Sequence, residues 1–431
     1  MKVLKHTDKN YERQLDRLSA ASSLFDSKIE AGARAIVECV AAKGDAALIE
    51  FARRFDGVKL TAQTLSVSDA ELAAAGKTVD GKLKRAIRFA HRNISQFHKR
   101  GLRKGWSGRN PQGAKVAEKF DPFGRVGVYI PGGTAPLMST ALMTVTLAKV
   151  AGCKEIVVCT PCGADGSVNP GLLHAATVAG ATEVYRVGGA HAIAAMAHGT
   201  NTIAPVQKIF GPGNAYVVAA KRLLVGYVSI DLLPGPSEVL VLADETANPV
   251  YAAADILAQA EHGSGHERCW LVSASARVIQ AVQREIEKQL PERSRAAYIR
   301  KALKNNGWLI QVKSRAAGIA LANRLAPEHC EVMLKNPREA AKQIMTAGAL
   351  FLGNNSPTVT GDYVAGPSHT LPTGGAGASF PGLTVDMFQR RTSVVEYTLP
   401  ALRKSIGSIE QFADVEGLDA HGRSASIRLD S

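Results

Sequence analysis

Residues 126–159, VGVYIPGGTAPLMSTALMTVTLAKVAGCKEIVVC, hold one complete unit of the fold. Residues 126–130 form a short β-branched run closed by Pro131-Gly132-Gly133, 142–151 an alanine-rich helical segment, and 155–159 a second apolar run. A strand, a helix and a strand within about thirty residues make a βαβ unit, which sets the two strands parallel. The unit repeats through 172–179 and 183–187, and a second series follows at 239–243, 270–272, 308–312, 331–334 and 350–352, with helix-like segments between. The predicted fold class is therefore α/β, with two Rossmann-like doubly wound parallel-sheet domains in tandem.

Outward from these units the pattern changes. Residues 1–100 look helical with little strand signal, and Leu83, Ile87, Ala90, Ile94 and Phe97 fall on one apolar stripe at helical spacing. Residues 105–113 are rich in Gly, Pro and Asn and predict an exposed connection. The last fifty or so residues do not continue the alternation, as expected of a tail that packs on a neighbouring subunit. The predicted division is 1–124, a helical region packing on the second α/β domain; 125–236 and 237–380, the two α/β domains; and 381–431, the tail.

The chain has 431 residues, 46% of them apolar and 21% charged, which excludes a disordered or fibrous protein. Its net charge of +14 predicts affinity for anions. Most of the surplus is local, because residues 82–125 carry thirteen basic side chains against Glu118 and Asp121. That cluster raises a nucleic-acid-binding alternative, although no reading motif accompanies it. The polar start, MKVLKHTDKNYERQ, has no signal-peptide core, and no apolar run is long enough to span a bilayer. Six scattered cysteines read as reduced thiols in a cytoplasmic protein. Cys159-Thr160-Pro161-Cys162 reads as a strand end, since neither a second pair nor an immediate helix follows it.

Ligands of parallel sheets bind beyond the carboxyl ends of the strands, so the loops there are the first candidates. Pro131-Gly132-Gly133, Gly211-Pro212-Gly213-Asn214 and Gly235-Pro236-Ser237 each bring backbone N–H groups near a helix start, either to cradle an anion or simply to turn. Neither the usual dinucleotide fingerprint nor a phosphate loop is present. Gln259 and His262, three apart at a helix end, suit two ligands of one metal or a solvated cap. Glu328-His329 at a strand entrance is an acid/base pair or a polar turn. Asp362 and His369 lie in the glycine-rich loop 361–377, and Glu416 and His421 in the tail, where a solvated role competes with a functional one.

Taken together, VGVYIPGGTAP from Val126, VGGAHAIAA from Val187, KIFGPGNAYV from Lys208, GPSEVLVLAD from Gly235, LAQAEHG from Leu257, LAPEHCE from Leu325, GDYVAGPSHTLPTGG from Gly361 and EGLDAH from Glu416 resemble the histidinol dehydrogenase family. The resemblance implies one zinc ion per subunit, held by Gln259, His262, Asp362 and His421, the last from the partner in an intertwined homodimer. It implies Glu328 and His329 as the acid/base pair. Tyr129, His191 and Asn214 take the NAD positions, and Ser237, His329, Asp362, His369 and Glu416 the substrate positions. The implied reaction is a four-electron oxidation of a small polar or anionic primary alcohol to a carboxylate through an enzyme-held aldehyde, with NAD as acceptor and neither nucleic acid nor membrane as partner.

This chain departs from the family's common residues at His191, Ser368 and Pro234 and in the segment 263–269. The metal and acid/base residues are intact while those around the pocket differ, which is the pattern of a paralogue with another substrate. The GPSHTLPTGG segment resembles the sulfopropanediol dehydrogenase subgroup, so the expected substrate is 2,3-dihydroxypropane-1-sulfonate, oxidised to sulfolactate. The alternative is L-histidinol, oxidised to L-histidine.

Overall fold

A computed structural model describes residues 1–19, 26–132 and 136–430. Gly133 of the first glycine loop lies outside the described residues. The first sheet is fully parallel, in the order Glu183–Tyr185, Glu155–Cys159, Arg125–Tyr129, Lys208–Phe210, Ser229–Ile230. Both faces of its central strands are covered, so their apolar runs are nearly continuous. Val126, Val128, Ile156 and Val158 point toward helices Met138–Ala151 and Pro170–Ala179. Tyr129, Val157, Cys159 and Ile209 point the other way, toward Gly189–His198 and Ala215–Leu223. Gly127 must lack a side chain here, because a Cβ would stand 2.5 Å from Met196 Sδ.

The second sheet runs Lys2–Lys5, Gly307–Gln311, Arg268–Ser273, Glu238–Ala243, His329–Met333, Ala349–Leu352, again all parallel. Its sequence-predicted strands are present with ends shifted by up to a few residues. The short strand Lys2–Lys5 was not expected, and it pairs with Gly307–Gln311 at the sheet edge.

The N-terminal region divides differently from the prediction. Lys2–Lys5 and helix Tyr11–Ser19 join the second sheet, the helix packing on Arg315–Leu325. Helices Ser27–Lys43, Asp69–Thr78 and Gly81–Lys99 instead pack on the helices of the first sheet. In Gly81–Lys99, Ile87, Ala90 and Ile94 are buried as their spacing predicts, but Phe97 is exposed and His98 takes the inner position. Burial pushes that imidazole down to about 4, so it sits neutral in the core.

A third, antiparallel sheet joins Trp106–Arg109, Lys115–Pro122 and Gln389–Glu396. The predicted connection 105–113 is thus partly strand, and the tail begins as a strand rather than outside all sheets. Among the described residues no helix is long and apolar enough to cross a membrane.

Candidate active site

In both sheets the strand order reverses next to the first strand of the series, between Arg125–Tyr129 and Lys208–Phe210 in one and between Glu238–Ala243 and His329–Met333 in the other. A crevice opens at such a point. In the first sheet Tyr129 and the loop 211–214 stand at the carboxyl ends of their strands. In the second, Ser237, Glu238, Glu328 and His329 all stand at the amino ends of their strands. The chain leaves the first sheet at Ile230 and enters the second at Glu238, so the carboxyl edge of one leads directly into the amino edge of the other.

The strand register fixes the acid/base pair. His329 is the Cα partner of Val239, which sets Glu328 beside Glu238. Glu238 N donates to Glu328 Oε2 at 2.8 Å, and His329 Nδ1 lies 3.0 Å from Glu238 O. A carbonyl only accepts, so Nδ1 carries a proton and Nε2 is the nitrogen left to gain or lose one. Nε2 stands 3.6 Å from Asp362 Oδ1, and Glu328 Oε2 3.4 Å from Nδ1. Burial pushes the imidazole down, but the charges of Glu328 and Asp362 outweigh it and hold the ring well above its ordinary value. Beside it lies a cavity of about 320 Å³ lined by residues including His329, Phe351, Gly361, Ser368 and His369.

Helix Pro249–Ala260 follows its strand and runs back antiparallel to it, bringing its C-terminal end to the same amino edge. Asn248 caps its start by accepting from Val250 N, and the chain turns out after Ala260. Gln259 is buried, and the amide nitrogen at its tip has no hydrogen-bond partner. His262 is exposed just past the helix end, its Nδ1 3.0 Å from Gln259 O. Asp362 sits in a short helix, Thr358–Tyr363, rather than in irregular loop. Burial raises its carboxyl, yet His329, His369 and His262 together hold it below the usual range, which places His262 and His369 in its neighbourhood.

The test for zinc is the donor set and its unsatisfied members. A Gln amide, two imidazoles and a carboxylate make a mixed nitrogen/oxygen set of the kind zinc accepts. A buried His369 Nε2 with no partner is a group that an occupant must satisfy. The residues present therefore fit the metal. His421 and Glu416 are not brought to the others within one chain. Both are exposed in the tail, whose helices Ile406–Val415 and Asp419–Ser426 pack on each other. No cluster of three or more His, Cys, Asp or Glu suited to a metal occurs among the described residues, as follows when Gln supplies one ligand and the tail another.

At the carboxyl edge of the first sheet, Tyr129 OH accepts from Gly189 N at 3.0 Å, at the start of the helix that carries His191. His191 is buried against the stacked rings of Phe51 and Phe55, and neither ring nitrogen has a partner. Burial pushes it down to about 4, so it is neutral. Asn214 caps the next helix, accepting from Tyr216 N and Val217 N. Gly211 packs directly against the Tyr129 backbone, which joins the two turns. The glycine loops are less open to anions than the sequence suggests. Gly211 N donates to Asp231 Oδ2 at 2.8 Å and Gly235 N to Thr373 Oγ1 at 2.5 Å, so both are already engaged.

The sequence reading missed three acids. Glu238 supports both members of the Glu328-His329 pair through its backbone, and its buried carboxylate accepts from Gly374 N at 3.0 Å. Burial pushes the Asp255 and Glu331 carboxyls up, and the neighbouring Asp255 charge raises Glu331 further. Glu331 Oε1 accepts from Thr358 N at 2.9 Å, fastening the helix that carries Asp362. An acid inside an otherwise apolar strand or helix was the available signal.

A family model described as histidinol dehydrogenase matches residues 20–429. This chain belongs to the histidinol dehydrogenase family. It is accordingly an NAD-dependent oxidoreductase, and NAD and zinc are the cofactors of that family. A relative named histidinol dehydrogenase from Synechococcus sp. is 45% identical over 93% of this chain and 92% of its own. Another of that name from Bradyrhizobium diazoefficiens is 43% identical over 99% and 98%. The crystal structure of histidinol dehydrogenase from Elizabethkingia anophelis superimposes with a TM-score of 0.94 at 35% identity, covering 100% of this chain and 98% of that one.

These likenesses overturn the expectation of a sulfopropanediol substrate. The departures that motivated it have other roles. Ser368 Oγ donates to Met143 O and accepts from Thr370 N, so its hydroxyl is spent on the backbone. His191 is uncharged, and Pro234 is buried in the crossing between sheets. In 263–269, Glu267 accepts from Ser264 N and Gly265 N and closes a self-contained turn. None of His191, Ser368 and Pro234 adds a cation to the pocket, and Arg268 of the fourth is turned to the buried Glu238 carboxyl.

Proposed function

We propose that this chain is an L-histidinol dehydrogenase, converting the alcohol to L-histidine by two successive hydride transfers with the aldehyde kept bound. Support comes from the full-length likeness to proteins of that name together with a His329 that lines the cavity and whose Nδ1 is engaged by the Glu238 carbonyl. Gln259, His262 and Asp362 of one subunit, with His421 of the partner subunit, would hold the zinc. When bound, zinc templates the substrate's heteroatoms and NAD accepts the hydrides. His329 Nε2 takes the hydroxyl proton in the first step, since an alcohol does not ionise by itself at neutral pH. The Glu238 carbonyl holds the ring in the tautomer this requires. Glu328 takes a proton from the water that adds to the aldehyde, giving the hydrate from which the second hydride leaves. Ser237, His369 and Glu416 orient the substrate, and Tyr129, His191 and Asn214 hold NAD. Burial of Glu328 and His329 keeps bulk water off the aldehyde.

The dimer belongs to the same proposal. Residues 381–431 leave Phe412, Val415 and Leu418 exposed on the segment that carries Glu416 and His421, an apolar patch suited to a second subunit. Residues 125–236 and 237–380 are taken as the two catalytic bodies. A cytoplasmic setting is in keeping with six unpaired cysteines. The deciding experiment is NADH production by the zinc-loaded enzyme from L-histidinol, with about two NADH per substrate consumed. Absence of turnover with L-histidinol would refute the assignment.

A further inference from the structure

One buried charge pair has no part in the chemistry above. Lys221, on helix Ala215–Leu223, donates from Nζ to Oδ1 of Asp231, just past strand Ser229–Ile230, and both side chains are 0% exposed. Lys221 Nζ also donates to Gly211 O at 3.0 Å and to Leu232 O at 2.9 Å. Asp231 Oδ2 accepts from Gly211 N at 2.8 Å. The ammonium has three donors and all three are used. Both backbone polar groups of Gly211 are held by the pair, and so is a carbonyl of the crossing that runs on to Ser237. Gly211 has φ +110° and lies so close to Tyr129 that a Cβ would stand 2.1 Å from its carbonyl oxygen, so the turn has little freedom of its own.

An ion pair of this kind is a poor source of stability, because apolar residues of similar volume often do as well or better in a core. What it supplies is direction. We propose that Lys221 and Asp231 are positioning residues that lock the turn 211–214 to the crossing 231–237, setting the NAD loop of one sheet against the substrate loop of the other. The inference rests on the assignment of Asn214 to NAD and Ser237 to substrate.

The test uses the full-length, zinc-loaded enzyme in three forms: Lys221→Met, Asp231→Asn, and the double variant Lys221→Met with Asp231→Leu. KM for NAD, kcat, zinc content and Tm are measured for each. Each single variant is expected to raise KM for NAD about tenfold or more at unchanged zinc content, since a small misplacement of a binding loop carries a cost of that order. The double variant is expected to recover the Tm lost by Lys221→Met while keeping the raised KM. A KM that returns to the parent value together with Tm would show a merely structural pair and overturn the proposal, as would single variants that lower Tm at unchanged KM. Should Lys221→Met fail to fold, Asp231→Asn, which keeps an oxygen for Gly211 N, carries the same comparison. Asn214→Ala separates the two levels. If it leaves KM for NAD unchanged, the loop assignment falls and the proposal with it; if it raises KM while the pair's variants do not, only the positioning role falls.

Discussion

Replacing Glu238 by Gln should make the protein more stable above neutral pH. The Glu238 side chain is 1% exposed, Oε1 faces Gly374 N and Arg268, and Oε2 has no partner. Burial pushes this carboxyl from 4.5 up to about 7, with Arg268 pulling it down and Glu328 pushing it further. Between those two values the folded protein keeps a proton that the unfolded chain has released, so stability falls as pH rises through the window. At about 1.4 kcal/mol per pH unit, the folded state above pH 7 gives up about 3 kcal/mol at this one side chain. Gln has the shape of the protonated acid, retains the acceptor for Gly374 N and cannot ionise. Urea unfolding, followed by the fluorescence of Trp270 and Trp308 on the second sheet, should show the two proteins alike near about pH 5. By about pH 8 Glu238→Gln should be more stable by up to about 3 kcal/mol. Groups common to both proteins cancel in the difference. Parallel stability curves across that range would refute the account of Glu238 as a carboxyl neutral at low pH and costly when charged.

Other outcomes follow from the same geometry. His329→Asn should lower kcat by about 10²- to 10⁴-fold without loss of zinc, read by steady-state NADH production and metal analysis. Gly211→Ala should destabilise by about 2 to 4 kcal/mol through its left-handed backbone and the Tyr129 carbonyl, seen as a lower unfolding midpoint, and an unchanged midpoint would contradict the contact. Gln259→Ala should bind zinc at least about tenfold more weakly in a chelator competition while retaining its far-UV spectrum. Phe412→Glu should sediment as a monomer and lose NADH production, and a fully active monomer would count against a site completed by the partner's tail.

The parallel sheets were legible because their strands are buried on both faces and so read as uninterrupted apolar runs. Lys2–Lys5 and the three antiparallel strands were not legible, since KVLK, WSGR and QRRTSVVE expose most of their side chains and carry no such run. At the site, Glu328, His329, Gln259 and Asp362 were visible as chemistry-bearing residues at element ends. Glu328-His329 was read at a strand entrance, but the gathering of Gln259 and Asp362 at that same amino edge was not, because the general expectation for parallel sheets concerns the other edge. That edge became available here through the direct crossing from Ile230 to Glu238. Glu238 itself escaped notice because it contributes through its backbone, which no side-chain pattern reveals. The sulfonate expectation failed for a related reason: Ser368 and Glu267 turn inward to backbone partners, so their identity says little about what enters the cavity.

The pairing of Lys2–Lys5 with Gly307–Gln311 also orders events during synthesis. The segment is made before the sheet it joins, and its hydrogen-bonding neighbour follows some three hundred residues later. At about 5 to 20 residues per second, that is an interval of roughly 15 to 60 seconds. Helices Ser27–Lys43 through Gly81–Lys99 can dock on the first sheet during that interval, whereas the leading strand must wait. This early-made strand is therefore among the last to find its place. Until then Lys2–Lys5 has no neighbour in its own chain and is open to pairing with other chains.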